Sequence, residues 1–291
     1  MRAIAALLTL STSVLLAQGS LHDKIIRIAA EAKGKVAVAC AAPGMQLDCD
    51  VHANTHPPMQ SVFKLPLVVT VFSRIEHGDF QIDQPVRYLT SDRIPGAYSP
   101  LQDKYPKGDV DVPLRELMRL AVSYSDNVAA DILLRILGGP AVVDRYIASL
   151  GVQGFHLQDS EATSLRDRRV QYRNWFEPAG AVVFLTKLVS NPPLNQEHTR
   201  LLLSWMEESP VGSKRLGGML PAGTVVAHKT GTSGTHNGIT AATNDIGLIR
   251  RPDGSWIAIA VFVSEAAANE ATREAVIARI ARAIYEAANG R

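Results

Sequence analysis

The spacing of apolar and polar positions divides this chain into three stretches of different character. Leu21 to Ala32 puts Ile25, Ile26, Ile28 and Ala29 on one side of a helix. Lys35 to Ala41 and Met45 to Ala53 then alternate as two arms of a hairpin about Ala42-Pro43-Gly44. From Ser61 to His77 the chain is nearly all apolar after Lys64, which predicts a helix buried on most sides with Ser61 at its start. Between Gly78 and Pro221 the pattern is of short helices and polar connections: Pro113 to Ser123, Asn127 to Leu137, Gly139 to Leu150 and Pro178 to Ser190. Thr224 to Thr232, Gly238 to Arg250 and Ser255 to Ser264 are rich in Val, Ile, Thr and Ala, and Arg251-Pro252-Asp253-Gly254 joins the last two as a hairpin turn. Glu270 to Ala288 closes the chain as a helix with Val276, Ile277, Ile280, Ala281 and Ile284 on one side. Sheet-forming residues at both ends of a helical middle predict an α/β (α+β) architecture: an antiparallel sheet from residues 20–77 and 222–291, a helical lobe from 78–221, and a site in the groove between them.

Composition narrows the function. The chain has 291 residues, 46% of them hydrophobic, enough to bury a full-sized core. Its 30 basic and 28 acidic residues leave a net charge of +2 without long single-sign runs, so nucleic acid is a poor partner. Residues 1–19 begin with Met1-Arg2, continue through a short apolar run and end in small residues at Ala17 and Gly19, the form of a cleaved secretory signal. The run is too short and interrupted to span a bilayer, which takes about 20 residues. Counting outward from the hairpin turn sets Cys40 opposite Cys49; the two either form a disulfide or stay as partly buried thiols. The eight histidines do not cluster, and no metal or other cofactor is called for.

Three short strings carry the chemistry. Ser61-Val62-Phe63-Lys64 places a hydroxyl and an amine three residues apart, on one helix face, where the lysine can take the serine proton. Alone it reads better as the start of a helix. Ser125-Asp126-Asn127 falls at a break between helices, where it could cap the next one or supply a proton donor and an amide to a substrate. Lys229-Thr230-Gly231, followed by Thr232 and Ser233, offers a cation, hydroxyls and a glycine that permits close approach, a combination suited to a carboxylate.

In this order the three strings resemble the serine beta-lactamase and penicillin-binding protein superfamily, and within it the class A beta-lactamases. Tyr98-Ser99-Pro100, similar to the family's aromatic gatepost, and Leu220-Pro221-Ala222-Gly223 extend the match over nearly the whole mature chain. The resemblance implies a beta-lactamase/transpeptidase-like fold with a five-stranded sheet, and a periplasmic or secreted monomer acting on small β-lactams without cofactor or membrane. It further implies Ser61 as nucleophile, Lys64 as its activator, Ser125 as proton donor, the backbone N–H groups of Ser61 and Thr232 as oxyanion hole, and Asn127, Lys229, Thr230, Thr232 and Ser233 as substrate contacts. Asp159-Ser160-Glu161-Ala162 is the local match to the omega loop, making Glu161 the base for the deacylating water. The family's usual asparagine four residues later is Leu165 here, which cannot hydrogen-bond through its side chain. The following Arg166 to Trp175 segment resembles the loop of the extended-spectrum subgroup. Gly238 stands where an arginine usually helps bind the substrate carboxylate, and Arg215 is expected to supply that guanidinium instead. A penicillin-binding protein that acylates and deacylates slowly is the alternative that Leu165 supports.

Overall fold

The protein was studied as a computed structural model that describes residues 19–290, so the expected signal segment, apart from Gly19, lies outside the described residues. In chain order come α1 (Leu21–Ala29), β1 (Lys35–Ala41), α2 (Lys64–Glu76), β2 (Pro85–Tyr88), α3 (Pro100–Lys104), β3 (Val110–Pro113), α4 (Leu114–Ser123), α5 (Asn127–Leu137) and α6 (Pro140–Ser149). Next are β4 (Phe155–His156), α7 (Glu161–Arg166), β5 (Trp175–Phe176), α8 (Pro178–Ser190), α9 (Gln196–Glu207), β6 (Val226–Thr232), β7 (Thr235–His236), β8 (Ile239–Arg250), β9 (Trp256–Ala266) and α10 (Glu270–Ala288).

The main sheet is antiparallel and five-stranded, in the order β1-β9-β8-β6 with β7 paired to β8. Its membership differs from the expectation at one strand. Met45 to Ala53 does not enter the sheet; it touches β1 through the reciprocal backbone bonds of Val38 and Val51, and β1 pairs instead with β9 from Lys35↔Ser264 to Ala41↔Ala258. β9 takes one edge of β1 along its whole length, whereas on the other edge the arm buries only Cys49 and Val51, with Gln46, Asp48 and Asp50 exposed between and beside them. The hairpin count still sets the cysteines opposite each other, and Cys40 and Cys49 form a disulfide.

β9 shows why a continuous apolar run makes a central strand. Ile257, Ile259, Val261 and Val263 face one cluster, with α1 and α10, while Ala258, Ala260 and Phe262 face the other, with α2 and α8. A period of two with both faces covered leaves no polar position to read. α2 is buried along ten consecutive residues, Lys64 to Ser73. Although it belongs to the sequence segment 20–77, it packs against α4, α5 and α6, and α8, from the segment 78–221, lies on β1 and β9.

Phe72 of α2 stacks between His198 and Trp205 of α9. Phe72→Ala is expected to lower the unfolding free energy by about 3–5 kcal/mol. Urea denaturation checks it, and an unchanged midpoint would contradict this packing.

Candidate active site

Ser61 lies in one 3-10 turn, Gln60–Phe63, which runs directly into α2 at Lys64. Three residues per turn eclipse positions i and i+3, so the two side chains stack rather than merely sharing a face. Lys64 Nζ, wholly buried, lies 2.9 Å from Ser61 Oγ. It also donates to Ser125 O at 2.8 Å and to Asn127 Oδ1 at 2.5 Å, and lies 2.8 Å from Glu161 Oε1. Glu161 Oε1 is itself 3.3 Å from Ser61 Oγ.

The second string is placed by strain and a cap. Ser125 adopts φ 60, the left-handed region that residues with a Cβ seldom occupy, between the end of α4 and the start of α5. That turn sends its carbonyl to Lys64 and its hydroxyl to Lys229 Nζ, 2.9 Å away. Asp126 is structural: buried at the N-terminus of α5, its carboxylate accepts from Ala129 N, Ser99 Oγ and Leu101 N. Tyr98 is exposed and is tied to the site by its carbonyl, which accepts from Asn127 N–H.

Lys229, in β6, is buried, and its pKa is driven well below the usual lysine range, first by burial and then by the charge of Lys64. Gly231 brings β6 against the Ser61 turn so closely that a Cβ there would overlap Met59 O. Thr230 is buried, and its carbonyl accepts from Lys229 Nζ. Thr232 and Ser233 line the pocket, although the Ser233 hydroxyl is already engaged, accepting from Ala242 N.

Arg215 is set back from the pocket lining. Buried behind β6, it donates to Gly231 O, Asn244 O, Glu274 Oε1 and Thr232 Oγ1. One guanidinium nitrogen holds the Thr232 hydroxyl, the side chain through which Arg215 reaches the pocket.

Glu161 opens α7, and the residue that sets it there was missed by the sequence reading. Asp131 accepts the backbone N–H groups of Glu161 at 2.8 Å and Ala162 at 2.9 Å. Its position four residues after Asn127 on α5 was the available sign, since the two share a helix face. The base of the loop is closed by Asn174, whose amide accepts from Gln158 N and Asp159 N, and by Arg173 on the Asp159 carboxylate. Leu165 is exposed and lines the pocket.

Six residues from four parts of the chain thus bring a hydroxyl, two amines and a carboxylate into bonding range. A model described as the beta-lactamase enzyme family matches residues 20–288. The chain belongs to the beta-lactamase enzyme family. It is 39% identical to the extended-spectrum beta-lactamase PER-1 of Pseudomonas aeruginosa, over 91% of this chain and 86% of that one. Beta-lactamase VEB-1, from the same organism, is 35% identical over 80% of this chain and 78% of its own. Among solved structures, a beta-lactamase from Chitinophaga pinensis superposes with a TM-score of 0.89 at 42% identity, covering 92% of this chain and 99% of that one. The enzyme is a class A beta-lactamase, and the reading as a slowly deacylating penicillin-binding protein is not favoured.

Burial, and then the charge of Glu161, push the Asp131 carboxyl from 3.8 up to about 6. A carboxyl with a raised folded-state pKa adds stability that is complete below its unfolded value and lost as pH rises through the folded one. Wild type is therefore expected to lose about 2 kcal/mol relative to Asp131→Asn between pH 4 and 7, at 1.36 kcal/mol per pKa unit. Urea midpoints for both proteins across that range check it; parallel pH profiles would contradict it.

Proposed function

We propose that Ser61 is the nucleophile of β-lactam hydrolysis and Glu161 the base that activates the water of the second step. The observation that carries this is the position of Glu161 Oε1, within 3.3 Å of Ser61 Oγ and 2.8 Å of Lys64 Nζ. With two of its N–H groups on Ser125 O and Asn127 Oδ1, the Lys64 nitrogen has one remaining direction. As an amine it points a lone pair there and takes the Ser61 proton; as an ammonium it donates to Glu161. The proton thus moves within a group that already holds the nucleophile.

Attack forms the bond from Ser61 Oγ to the lactam carbonyl, and the N–H groups of Ser61 and Thr232 receive the developing oxyanion. Ser125, bonded to Lys229, delivers a proton to the nitrogen as the ring bond breaks. The depressed pKa of Lys229 favours resupply of that proton. Lys229, Thr230, Thr232 and Ser233 receive the substrate carboxylate, and Tyr98 stands at the edge of the site. Water, deprotonated by Glu161, then releases the acid. Because Leu165 offers that water no hydrogen bond, it is held by Glu161, Ser61 and the Asn127 amide.

The pocket, of about 610 Å³, runs on from Ser61 between Leu165 and Tyr172 on one side and Thr235 and Ile239 on the other. It has the volume for the acyl substituents of cephalosporins as well as penicillins, which matches the extended-spectrum designation of PER-1. The Cys40–Cys49 bridge and the form of residues 1–19 support an exported enzyme, working in the periplasm.

Mass spectrometry after mixing with a penicillin tests the assignments. Ser61→Ala forms no adduct, whereas Glu161→Gln accumulates one, its turnover lowered by about 10²–10⁴-fold. Wild-type turnover of a chromogenic cephalosporin by Glu161→Gln would remove Glu161 from this role.

A further inference from the structure

A second cavity lies behind the catalytic pocket. Its volume is about 890 Å³, and its floor is largely apolar, with Ile26, Ala29, Val36, Val51, Pro57 and Pro58. The linings of the two cavities have two residues in common, Tyr172 and Glu265. Those two are bonded to each other, Tyr172 Oη donating to Glu265 Oε1 at 2.5 Å.

Both halves of this partition are held from behind. The β8–β9 ladder pairs Ala242↔Ser264 and Thr240↔Ala266, and Glu265 between them has φ 50, in the left-handed region. Its neighbours are pinned, because a Cβ on Gly34 would stand 2.7 Å from Ser264 O and 2.6 Å from Ala266 Cα. On the other side, Tyr172 belongs to the 3-10 segment Arg168–Arg173. That segment is anchored by Gln171, which accepts from Gln60 Nε2 at 2.8 Å, and by Arg173 on Asp159. Burial and the bond to Glu265 push the Tyr172 hydroxyl up to about 12, so it stays a donor at working pH. A non-glycine residue in a strained conformation that places its carboxylate on the wall of a catalytic pocket points to a functional constraint.

We infer that the Tyr172–Glu265 pair is the specificity-determining end wall of the catalytic pocket, limiting the length of acyl substituent a β-lactam can carry, with the apolar cavity behind it as the space a longer apolar substituent would enter if the wall were opened. This rests on the reading that the acyl substituent lies between Leu165 and Ile239. A substituent that outgrows the pocket must break this bond and move a ring held by the Arg168–Arg173 segment, and that cost falls on long substrates alone.

Two cephalosporins with one nucleus separate the outcomes, one carrying a phenylacetyl group and the other its biphenyl extension. The quantity read is the ratio of kcat/KM, short over long, in wild type, Tyr172→Ala, Tyr172→Phe and Glu265→Ala. Wild type is expected to favour the short substrate by about tenfold or more, and the two alanine variants to lower that ratio by about tenfold, the scale of discrimination by a hydrophobic pocket. Tyr172→Phe, which keeps the ring and removes the bond, is expected to fall between. Damage to the Glu161 loop slows both substrates and cancels in the ratio. Should Tyr172→Ala fail to fold, Glu265→Ala reads the same wall from the sheet side. A ratio near one in wild type, or the wild-type ratio kept by the alanine variants that fold, overturns the inference while leaving the hydrolytic reading intact. Absence of hydrolysis of either cephalosporin and of penicillin by wild type would instead overturn that reading.

Discussion

The structure around this site is organised by one buried nitrogen. Lys64 Nζ has no exposure to solvent, and a buried amine needs its bonds met by the protein. The oxygens within 2.9 Å come from the Ser61 turn, the α4–α5 turn, the first turn of α5 and the start of α7. Satisfying them fixes the relative positions of all four. The left-handed conformation of Ser125 follows from the same need, since it turns the carbonyl toward the amine and leaves the hydroxyl for the opposite side.

The opposite side holds the second buried amine, and the two are not independent. Lys64 is among the causes that hold the Lys229 pKa down, while the carboxylates of Asp245 and Glu161 act against the shift. Asp245 is itself bonded to His228 and to Leu216 N. The two amines are thus electrostatically coupled. Close approach makes that possible: Gly231 lets β6 press on the Ser61 turn, and Asn244 of β8 donates to Pro58 O just before it.

The loop that bears Glu161 needs a different support. Leu165 removes a hydrogen-bonding side chain that family members commonly have, yet the loop is tied at several other places: Asp131 at the start of α7, Asn174 and Arg173 on Asp159, Gln171 on Gln60 and Tyr172 on Glu265. Positioning of the carboxylate therefore does not depend on residue 165. The last of these ties also joins two residues that line the pocket.

Local patterns were enough to place much of this. The helices Asn127–Leu137, Pro178–Ser190 and Glu270–Ala288 appear with the bounds their periodicity and caps indicate, because those signals act within a few residues. The three strings also singled out Ser61, Lys64, Ser125, Asn127 and Lys229, which the fold brings together, since their residue types and order carry meaning without coordinates. The pairing of β1 with β9, the burial of Arg215 behind β6, the grip of Asp131 on Glu161 and the bond of Tyr172 to Glu265 were settled by tertiary structure alone. In the first, third and fourth the partners lie from about 30 to more than 200 residues apart, and in the second, burial decides which of several acceptors a guanidinium meets. Sequence determined the chemistry available to this protein; packing of distant segments determined which groups meet, because burial free energy depends on the whole core rather than on neighbouring residues.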